Sequence, residues 1–377
     1  MPVPPSIRIV IAGGGTGGHV LPAVSVIEEL RRRNIRAEYL WIGSHDGVER
    51  EAAKRAGIAY AAISTGKFRR YLDPQTVLDA GRIPIGVLQA SRHVRAFKPD
   101  VIFSTGGFVS VPTVIAGARI APILTHEQTA IIGLATKIDA RFADVLALSH
   151  ERSQASVPGF ARRVVVTGNP VRLSLLDGDA SRGFEHLGFD PGVPLLYVTG
   201  GARGSSPINQ RIEALLPELL DHCQILHQVG PPTANDDAIR LQNLCLSWPK
   251  AHQRRYRVVE FVGDELRDIY AAATLVVARA GAGTIAELPL LGLPAILIPL
   301  PLSGGGEQDV NAQILGDAGA AIVVPQTEAT RDRLRSDILA LLHDADRRQQ
   351  MAVKAKLLAR PDAAARLTDE LLSLAND

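Results

Sequence analysis

His19 stands directly behind Gly13-Gly14-Gly15-Thr16-Gly17-Gly18. An imidazole exchanges a proton near neutral pH, and a strand that stops in glycines before a helix gathers backbone N–H groups suited to an anion. His19 therefore reads as a proton-transfer group, with a structural histidine as the rival reading. A second turn of the same design, Gly200-Gly201-Ala202-Arg203-Gly204, closes the run Leu195-Leu196-Tyr197-Val198-Thr199. Further on, Arg279-Ala280-Gly281-Ala282-Gly283-Thr284-Ile285-Ala286 leads to Glu287. This acid can complement a helix dipole or accept hydrogen bonds from two ribose hydroxyls. Behind Gly304-Gly305-Gly306, Glu307-Gln308-Asp309-Val310-Asn311 can hydrogen-bond a base or a sugar. The second turn lacks the lysine of a P-loop, as does the first, which argues against phosphoryl transfer from ATP.

The elements that would hold these residues are short β-branched runs separated by helical patterns. Ile7–Ala12, Ala37–Ile42, Ala59–Ile63, Val101–Ser104, Ile123–Thr125, Val145–Leu148 and Val164–Thr167 make the first half, and Leu195–Thr199, Gln224–Val229, Val258–Val262, Leu275–Ala278, Ala295–Pro299 and Ala321–Val324 the second. Runs apolar on both faces between helices predict parallel sheets covered on both sides, an α/β chain of two nucleotide-fold halves facing a shared cleft. Val24, Ile27 and Leu30 share one face of the first helix, and Pro22 is expected near its start. Gly168 and Pro170 place the boundary, giving an N-terminal domain over 1–168, a C-terminal domain over 169–345 and a helical tail over 346–377 that packs across the junction.

Composition bounds the partners. The chain has 377 residues, 46% of them apolar, and 41 basic against 39 acidic side chains, a net charge of +2. It is therefore read as globular, and nucleic acid is not an expected partner. Cys223 and Cys245 are too few for a disulfide framework or a thiolate zinc site. The first eight residues lead straight into a strand, so no signal peptide is expected, and no apolar window reaches the roughly 20 residues of a spanning helix. Gly13-x-Gly15-x-x-Gly18 with Glu38 also satisfies a dinucleotide fingerprint. The histidine at the next position weighs against that use.

Five segments, in order and spacing, resemble a known family. They are Thr16-Gly17-Gly18-His19-Val20-x-Pro22-Ala23, Gly106-Gly107-Phe108-Val109-Ser110-Val111-Pro112, His126-Glu127-Gln128, Gly168-Asn169-Pro170-Val171-Arg172 and Arg279-x-Gly281-Ala282-x-Thr284-x-x-Glu287. The family is that of the bacterial peptidoglycan glycosyltransferases that add N-acetylglucosamine to undecaprenyl-pyrophosphoryl-N-acetylmuramyl-pentapeptide. The resemblance covers nearly the whole chain and implies the GT-B fold, an inverting transfer from UDP-N-acetylglucosamine, and no metal or cofactor; no Asp-x-Asp motif is present. It implies an acceptor pyrophosphate at Gly14, Gly15, Thr16, Gly17 and Gly18 with Gly106, Gly107 and Phe108 beside it, and His19, His126 and Glu127 near the reacting hydroxyl. Either His19 or Glu127 would be the base, and His19 is preferred. The donor would fall to Thr129, Arg172, the turn at Gly201, Ala202 and Arg203, and Asn209. Glu287 would bind the ribose, Arg279, Gly281, Ala282 and Thr284 would border the uracil, and Gln308 and Asn311 would contact the sugar.

The same resemblance implies peripheral attachment to the cytoplasmic face of an anionic membrane. Lys67-Phe68-Arg69-Arg70-Tyr71-Leu72 and Ile83-Pro84-Ile85-Gly86-Val87-Leu88 offer the cations and apolar groups for it, with a solvated loop and a core helix as the other reading. The chain departs from the family at Thr129 and Thr136, where asparagines are usual, and at Phe108, usually tyrosine. The usual Gly-Gly-Ser-Gln-Gly-Ala turn reads Gly200-Gly201-Ala202-Arg203-Gly204-Ser205. A related transferase with another acceptor, or a sugar-nucleotide-binding protein without turnover, remain the alternatives; retention of the series from Gly14 to His126 disfavours a UDP-N-acetylglucosamine 2-epimerase.

Overall fold

The computed structural model describes residues 6–66 and 74–376, without side chains for 74–81 and 304. Two compact units form, one from residues 1–171 with 360–377 and one from 172–359. The chain thus changes unit at Val171/Arg172, three residues beyond the boundary read from the sequence.

The first unit is a seven-stranded parallel sheet of β1 (Ile7–Gly13), β2 (Ala37–Gly43), β3 (Ala59–Ala62), β4 (Val101–Gly106), β5 (Ile123–Glu127), β6 (Val145–Leu148) and β7 (Arg163–Val166). Its strands lie in the order β3-β2-β1-β4-β5-β6-β7. Between them run α1 (Gly17–Arg32), α2 (Val48–Arg55), α3 (Pro74–Phe97), α4 (Ser110–Gly117) and α5 (Leu134–Asp139). Alternate residues of β1 serve opposite faces: Ile9 and Ile11 pack with Val20, Ala23, Ile27 and Leu30 of α1, whereas Val10 joins Ile42, Ile102 and Ile123 beneath other helices. Burial on both faces explains why the strand reads as one apolar run. Pro22 is the sixth residue of α1, deeper than expected, because the helix already begins at Gly17; it cannot donate to the Gly18 carbonyl.

The second unit repeats the plan with six parallel strands, β8 (Leu195–Thr199), β9 (Gln224–Gln228), β10 (Tyr256–Val259), β11 (Leu275–Ala278), β12 (Ala295–Leu297) and β13 (Ala321–Val323), in the order β10-β9-β8-β11-β12-β13. Its helices are α6 (Ala180–Leu187), α7 (Ser206–Glu213), α8 (Leu216–His222), α9 (Asp237–Leu246), α10 (Lys250–Arg254), α11 (Leu266–Ala272), α12 (Ala282–Leu291), α13 (Glu307–Asp317), α14 (Arg331–His343) and α15 (Ala345–Leu358). β10 lies two residues earlier than the apolar run at 258–262 because Tyr256 is buried and pairs with Ile225, while Phe261 is 57% exposed.

The last helix, α16 (Ala363–Asn376), belongs to the first unit: Leu367, Leu371 and Leu374 enter the core beside α1, and Arg33 and Arg163 pair with its Asp369 and Glu370. In α15, Met351 and Ala355 are buried in the second unit. In each sheet the strand order reverses next to the first strand, between β1 and β4 and between β8 and β11. Ligands of doubly wound sheets bind outside the carboxyl ends of strands at this switch point. Both glycine turns of the sequence sit there.

Candidate active site

At the first switch point the missing side chains of the glycines make room for named neighbours. A Cβ on Gly13 would lie 2.0 Å from Thr105 Oγ1, one on Gly14 2.3 Å from the Glu49 carboxyl carbon, and one on Gly15 2.9 Å from the Phe108 ring. Glu49, fully buried on α2, accepts hydrogen bonds from the Gly15 N–H (2.9 Å) and from Ser44 N and Oγ (2.9 and 2.5 Å). The Gly15 N–H is thereby committed inside the protein, and Gly15 contributes to the turn by its shape. A Cβ on Gly17 would meet nothing within 4 Å and one on Gly18 only Thr16 Oγ1 at 3.7 Å; both open α1, where first-turn N–H groups have no intrahelical acceptor and Thr16 makes no side-chain cap. Those groups, with the positive end of a 16-residue helix, are free to meet an anion.

His19 is half-buried in the first turn of α1. Its Nδ1 lies 3.0 Å from the Thr105 carbonyl and 2.9 Å from Gln128 Oε1. A carbonyl oxygen only accepts, and the Gln128 Nε2 is occupied donating to the same Thr105 carbonyl at 2.6 Å, so both oxygens call for a proton on Nδ1. The lone pair of Nε2 is left without a partner among the described residues. An imidazole held this way has its orientation fixed, as in a hydrolytic triad with amide and carbonyl in place of the carboxylate.

His126 and Glu127 stand elsewhere in the arrangement. His126 is fully buried; its Nε2 lies 3.1 Å from the Gly168 carbonyl and 3.2 Å from Ser149 Oγ, and its Nδ1 lies 3.3 Å from Gln128 Nε2. Burial depresses its pKa to about 4, so it is neutral and supports Gln128, with no nitrogen left for a substrate. Glu127 is also buried and accepts from Thr129 N, Thr129 Oγ1 and Gly133 N at 3.0, 2.8 and 2.9 Å. It closes the loop before α5. Thr129, half-buried, uses its hydroxyl in that same loop. After β4, Gly106 and Gly107 have φ of +78° and +80°, and a Cβ on Gly107 would lie 2.6 Å from the Gly14 carbonyl and 3.1 Å from His19 Cδ2. Buried Asp139 accepts from Ser104 and Ser110 beside this turn, and burial raises its pKa to about 7.

The second switch point is held by a different set of contacts. The Gly201 carbonyl receives the Gly204 N–H at 2.9 Å, closing a β-turn whose middle residues, Ala202 and Arg203, are exposed. Gly201 N–H donates to Thr199 Oγ1 (3.0 Å), and Gln228 Nε2 donates to the Gly201 carbonyl (3.2 Å) while its Oε1 accepts from Tyr197. Arg279, only 6% exposed at the end of β11, donates to the carbonyls of Ile298 and Pro299, to Ser205 Oγ and to Gln326 Oε1. Arg211 beside it donates only to backbone carbonyls. Burial first, then the Arg211 charge, lowers the Arg279 pKa to about 10. Neither guanidinium has a carboxylate partner among the described residues, and the buried acid at the start of α7 is Asp237, which accepts from Asn209 and Ser206 of that helix.

Glu287 is buried in the second turn of α12, where it accepts from Tyr270 (3.1 Å) and feels the charge of Arg172; burial raises its pKa. Its depth and partner remove it from the simple dipole-complementing role, whose effect fades beyond the first turn. Gly281, Ala282 and Thr284 line the partly exposed start of that helix, and a Cβ on Gly281 would meet no atom within 4 Å. Gln308 Oε1 accepts from Leu300 N, and buried Asn311 donates to the Ala280 carbonyl, so both fix the start of α13. Asn209 is fully buried, bound to Val229 O, Asp237 and His227. Its side chain holds α7 to β9 and presents no free polar atom. Glu38 pairs with Arg8 at the opening end of β1, about 20 Å along the strand from the glycine turn, which removes it from any dinucleotide site there. Glu49, Gln128, Ser205, Tyr270 and Gln228 escaped the sequence reading as site residues. Two of them carried a signal, Gln128 by its place in the His-Glu-Gln segment and Ser205 by its place in the second glycine turn.

Two doubly wound units, each with a glycine turn at its switch point, are the architecture of the GT-B class of glycosyltransferases. Residues 9–147 match the glycosyltransferase family 28 N-terminal domain and residues 195–367 its C-terminal domain. The chain is 36% identical over 370 residues to the UDP-N-acetylglucosamine–N-acetylmuramyl-(pentapeptide) pyrophosphoryl-undecaprenol N-acetylglucosamine transferase of Listeria monocytogenes, covering 98% of this chain and 99% of that one. With the enzyme of the same name from Halalkalibacterium halodurans it shares 35% over 363 residues, covering 96% and 98%. The crystal structure of Acinetobacter baumannii MurG superposes with a TM-score of 0.72 at 26% identity over 97% of this chain and 99% of that one. This chain belongs to that family of N-acetylglucosamine transferases. A UDP-N-acetylglucosamine 2-epimerase of Listeria monocytogenes, at 15% identity and a TM-score of 0.68, shares the fold alone.

Proposed function

We propose that this chain transfers N-acetylglucosamine from UDP-N-acetylglucosamine to the C4 hydroxyl of N-acetylmuramyl-pentapeptide on undecaprenyl pyrophosphate. The observation that carries the mechanism is the His19 ring, with Nδ1–H held by two oxygens and Nε2 without a partner among the described residues, in the same first turn of α1 as Gly17 and Gly18, whose N–H groups lack an intrahelical acceptor. The acceptor pyrophosphate binds at the start of α1, and Nε2 removes the proton from the acceptor hydroxyl as its oxygen attacks the anomeric carbon. The bond to UDP breaks in line, so the α-linked donor gives a β-linked product. Charge grows on the departing diphosphate, which the start of α7, Arg203 and the field of Arg279 stabilise. Glu287, oriented by Tyr270, accepts from the ribose hydroxyls. Of the two bases considered, Nε2 of His19 is open whereas the Glu127 carboxylate is engaged by its own loop.

A polyprenyl-linked acceptor requires the protein to work at a bilayer, and we place it peripherally on the cytoplasmic face. Among the described residues no helix is long and apolar enough to cross a membrane. Ile85 and Leu88 of α3 are 51% and 67% exposed, in support of a contact surface; Lys67, Phe68, Arg69, Arg70, Tyr71 and Leu72 lie outside the described residues. The decisive experiment offers labelled UDP-N-acetylglucosamine and a short-chain polyprenyl-pyrophosphoryl-N-acetylmuramyl-pentapeptide in the presence of EDTA, read by mass spectrometry. A product heavier by one N-acetylhexosamine is expected. Tight UDP binding without product, beside an active relative, would transfer the reading to another acceptor or to a silent cleft.

A further inference from the structure

Ser110 opens α4 with one hydroxyl hydrogen and two oxygens within its reach. Its Oγ lies 2.8 Å from the Gly107 carbonyl and 2.5 Å from Asp139 Oδ2, and the same Oδ2 lies 2.9 Å from Ser104 Oγ. A carbonyl only accepts, so both contacts of Ser110 are hydrogen bonds at once only if Asp139 carries a proton on Oδ2 and donates it to Ser110. The other carboxyl oxygen agrees: Asp139 Oδ1 is buried and has no hydrogen-bond partner among the described residues. An ionised carboxylate would leave part of its charge bare in the interior, whereas a neutral acid leaves only a carbonyl oxygen there. Burial, opposed by the two serine hydroxyls and assisted by the Glu127 charge, raises the Asp139 pKa to about 7. Of the elements packed most closely against α5, β4 and α4 carry no ionisable side chain, and β5 carries Glu127 and the neutral His126. Lys137 and Arg141, on the helix of Asp139 and just after it, line an outer cavity with Phe160. The front of the same turn meets His19: the Gly106 N–H donates to Ser104 Oγ at 3.2 Å, while the Thr105 carbonyl between them receives His19 Nδ1 at 3.0 Å.

We propose that Asp139 is a positioning residue for the transfer: protonated, it donates to Ser110, Ser110 donates to the Gly107 carbonyl, and the turn that holds His19 is fixed from behind. Ionised, it takes the Ser110 hydrogen for itself, and the hydroxyl bond to Gly107 is lost. The inference rests on His19 as the base and adds a support behind it that one proton switches. That proton stays on the acid and never reaches the substrate.

The test is the pH profile of kcat for the full chain, with labelled UDP-N-acetylglucosamine and the short-chain acceptor both saturating, from about pH 6 to about pH 9. In the natural chain kcat should descend on the alkaline side and level out about tenfold lower. Asp139→Asn keeps the shape of the acid and can donate from Nδ2 to Ser110 at every pH, so the descent should vanish. Asp139→Ala should stay about tenfold below Asp139→Asn throughout, and Asp139→Ala/Ser110→Ala should be no slower than Asp139→Ala. Difference infrared spectra of the natural chain against Asp139→Asn should show a neutral carboxyl band at about pH 6 that fades by about pH 9. An alkaline descent that persists in Asp139→Asn overturns the proposal, as does the absence of the carboxyl band. Asp139→Asn as slow as Asp139→Ala would make the acid a packing group and overturns it too. If His19→Ala turns over as fast as the natural chain, the base reading itself fails, and this inference with it.

Discussion

Gly107→Ala is the sharpest probe of the geometry around His19. The backbone at 107 has φ +80°, a region that costs a residue with a side chain about 1–3 kcal/mol. The added methyl would stand 2.6 Å from the Gly14 carbonyl and 3.1 Å from His19 Cδ2. Carbon atoms rest about 3.5–4.0 Å apart, so the imidazole must retreat by roughly 0.5 Å, and the Gly14 carbonyl must move with it. Displacing a base by a distance of that order lowers turnover about ten- to a hundredfold. The second unit is untouched, so UDP affinity should stay as it was. The assay is turnover of labelled UDP-N-acetylglucosamine at saturating acceptor, together with dialysis of UDP and urea unfolding followed by Trp41 fluorescence in a Trp248→Phe background. A folded Gly107→Ala protein with undiminished turnover would refute the placement of the base, because its ring could not occupy the position described here.

Other outcomes follow from the same contacts. Gly18→Ala meets only Thr16 Oγ1 at 3.7 Å, so the protein should remain as stable while the acceptor KM rises severalfold in steady-state kinetics, the methyl standing where the pyrophosphate approaches. His19→Ala should lower kcat about 10²- to 10⁴-fold with UDP affinity retained in dialysis, whereas a loss confined to KM would assign the ring to binding. Tyr270→Phe frees the Glu287 carboxylate and should reduce the preference for UDP over 2′-deoxy-UDP, measured by competition. In the first unit His126 and His150 are held near pKa 4, below the roughly 6.5 of an unfolded ring, and Asp139 near 7, above its unfolded value. As pH falls from 6.5 toward 4 the unfolded chain gains two protons on the rings, against one on the carboxyl that the folded unit already holds, so stability should fall by about 1.4 kcal/mol per pH unit, read by Trp41 urea midpoints; a flat profile would contradict the burial of these rings.

How far the sequence reached depended on the range of the interaction. Strand positions were legible because burial on both faces prints continuous apolar runs, as in Ile9-Val10-Ile11. The glycine turns were legible because a turn is local. The contacts that decide chemical roles were not: Glu49 meets Gly15 across 34 residues, His19 meets Gln128 across 109, and Arg279 meets Ser205 across 74. No periodicity announces such pairs. The same blindness allowed Glu38 to satisfy a fingerprint by counting, although the parallel pairing of β1 with β2 sets it at the wrong end of the sheet. Asn209 looked like a polar residue near a ligand turn, and only its three partners show that it is a buried fastening.

The two switch points share one architecture and differ in the charged groups buried behind them. Behind β1 the buried Glu49 carboxylate holds the glycine turn by its Gly15 N–H, and in the proposed reading the first turn of α1 meets the acceptor pyrophosphate. Behind β8 the buried Arg279 guanidinium bonds only neutral oxygens among the described residues, while the buried Asp237 carboxylate fastens Asn209 and Ser206 of α7. A pyrophosphate that stays attached to its product needs a site that binds it without changing as the reaction proceeds. A diphosphate that becomes a leaving group gains charge in the transition state, and only a site with surplus positive field responds to that gain. On the proposed reading Arg279, which has no acid partner among the described residues, serves the donor side, and the carboxylate-anchored turn with His19 serves the side of the hydroxyl that must lose a proton.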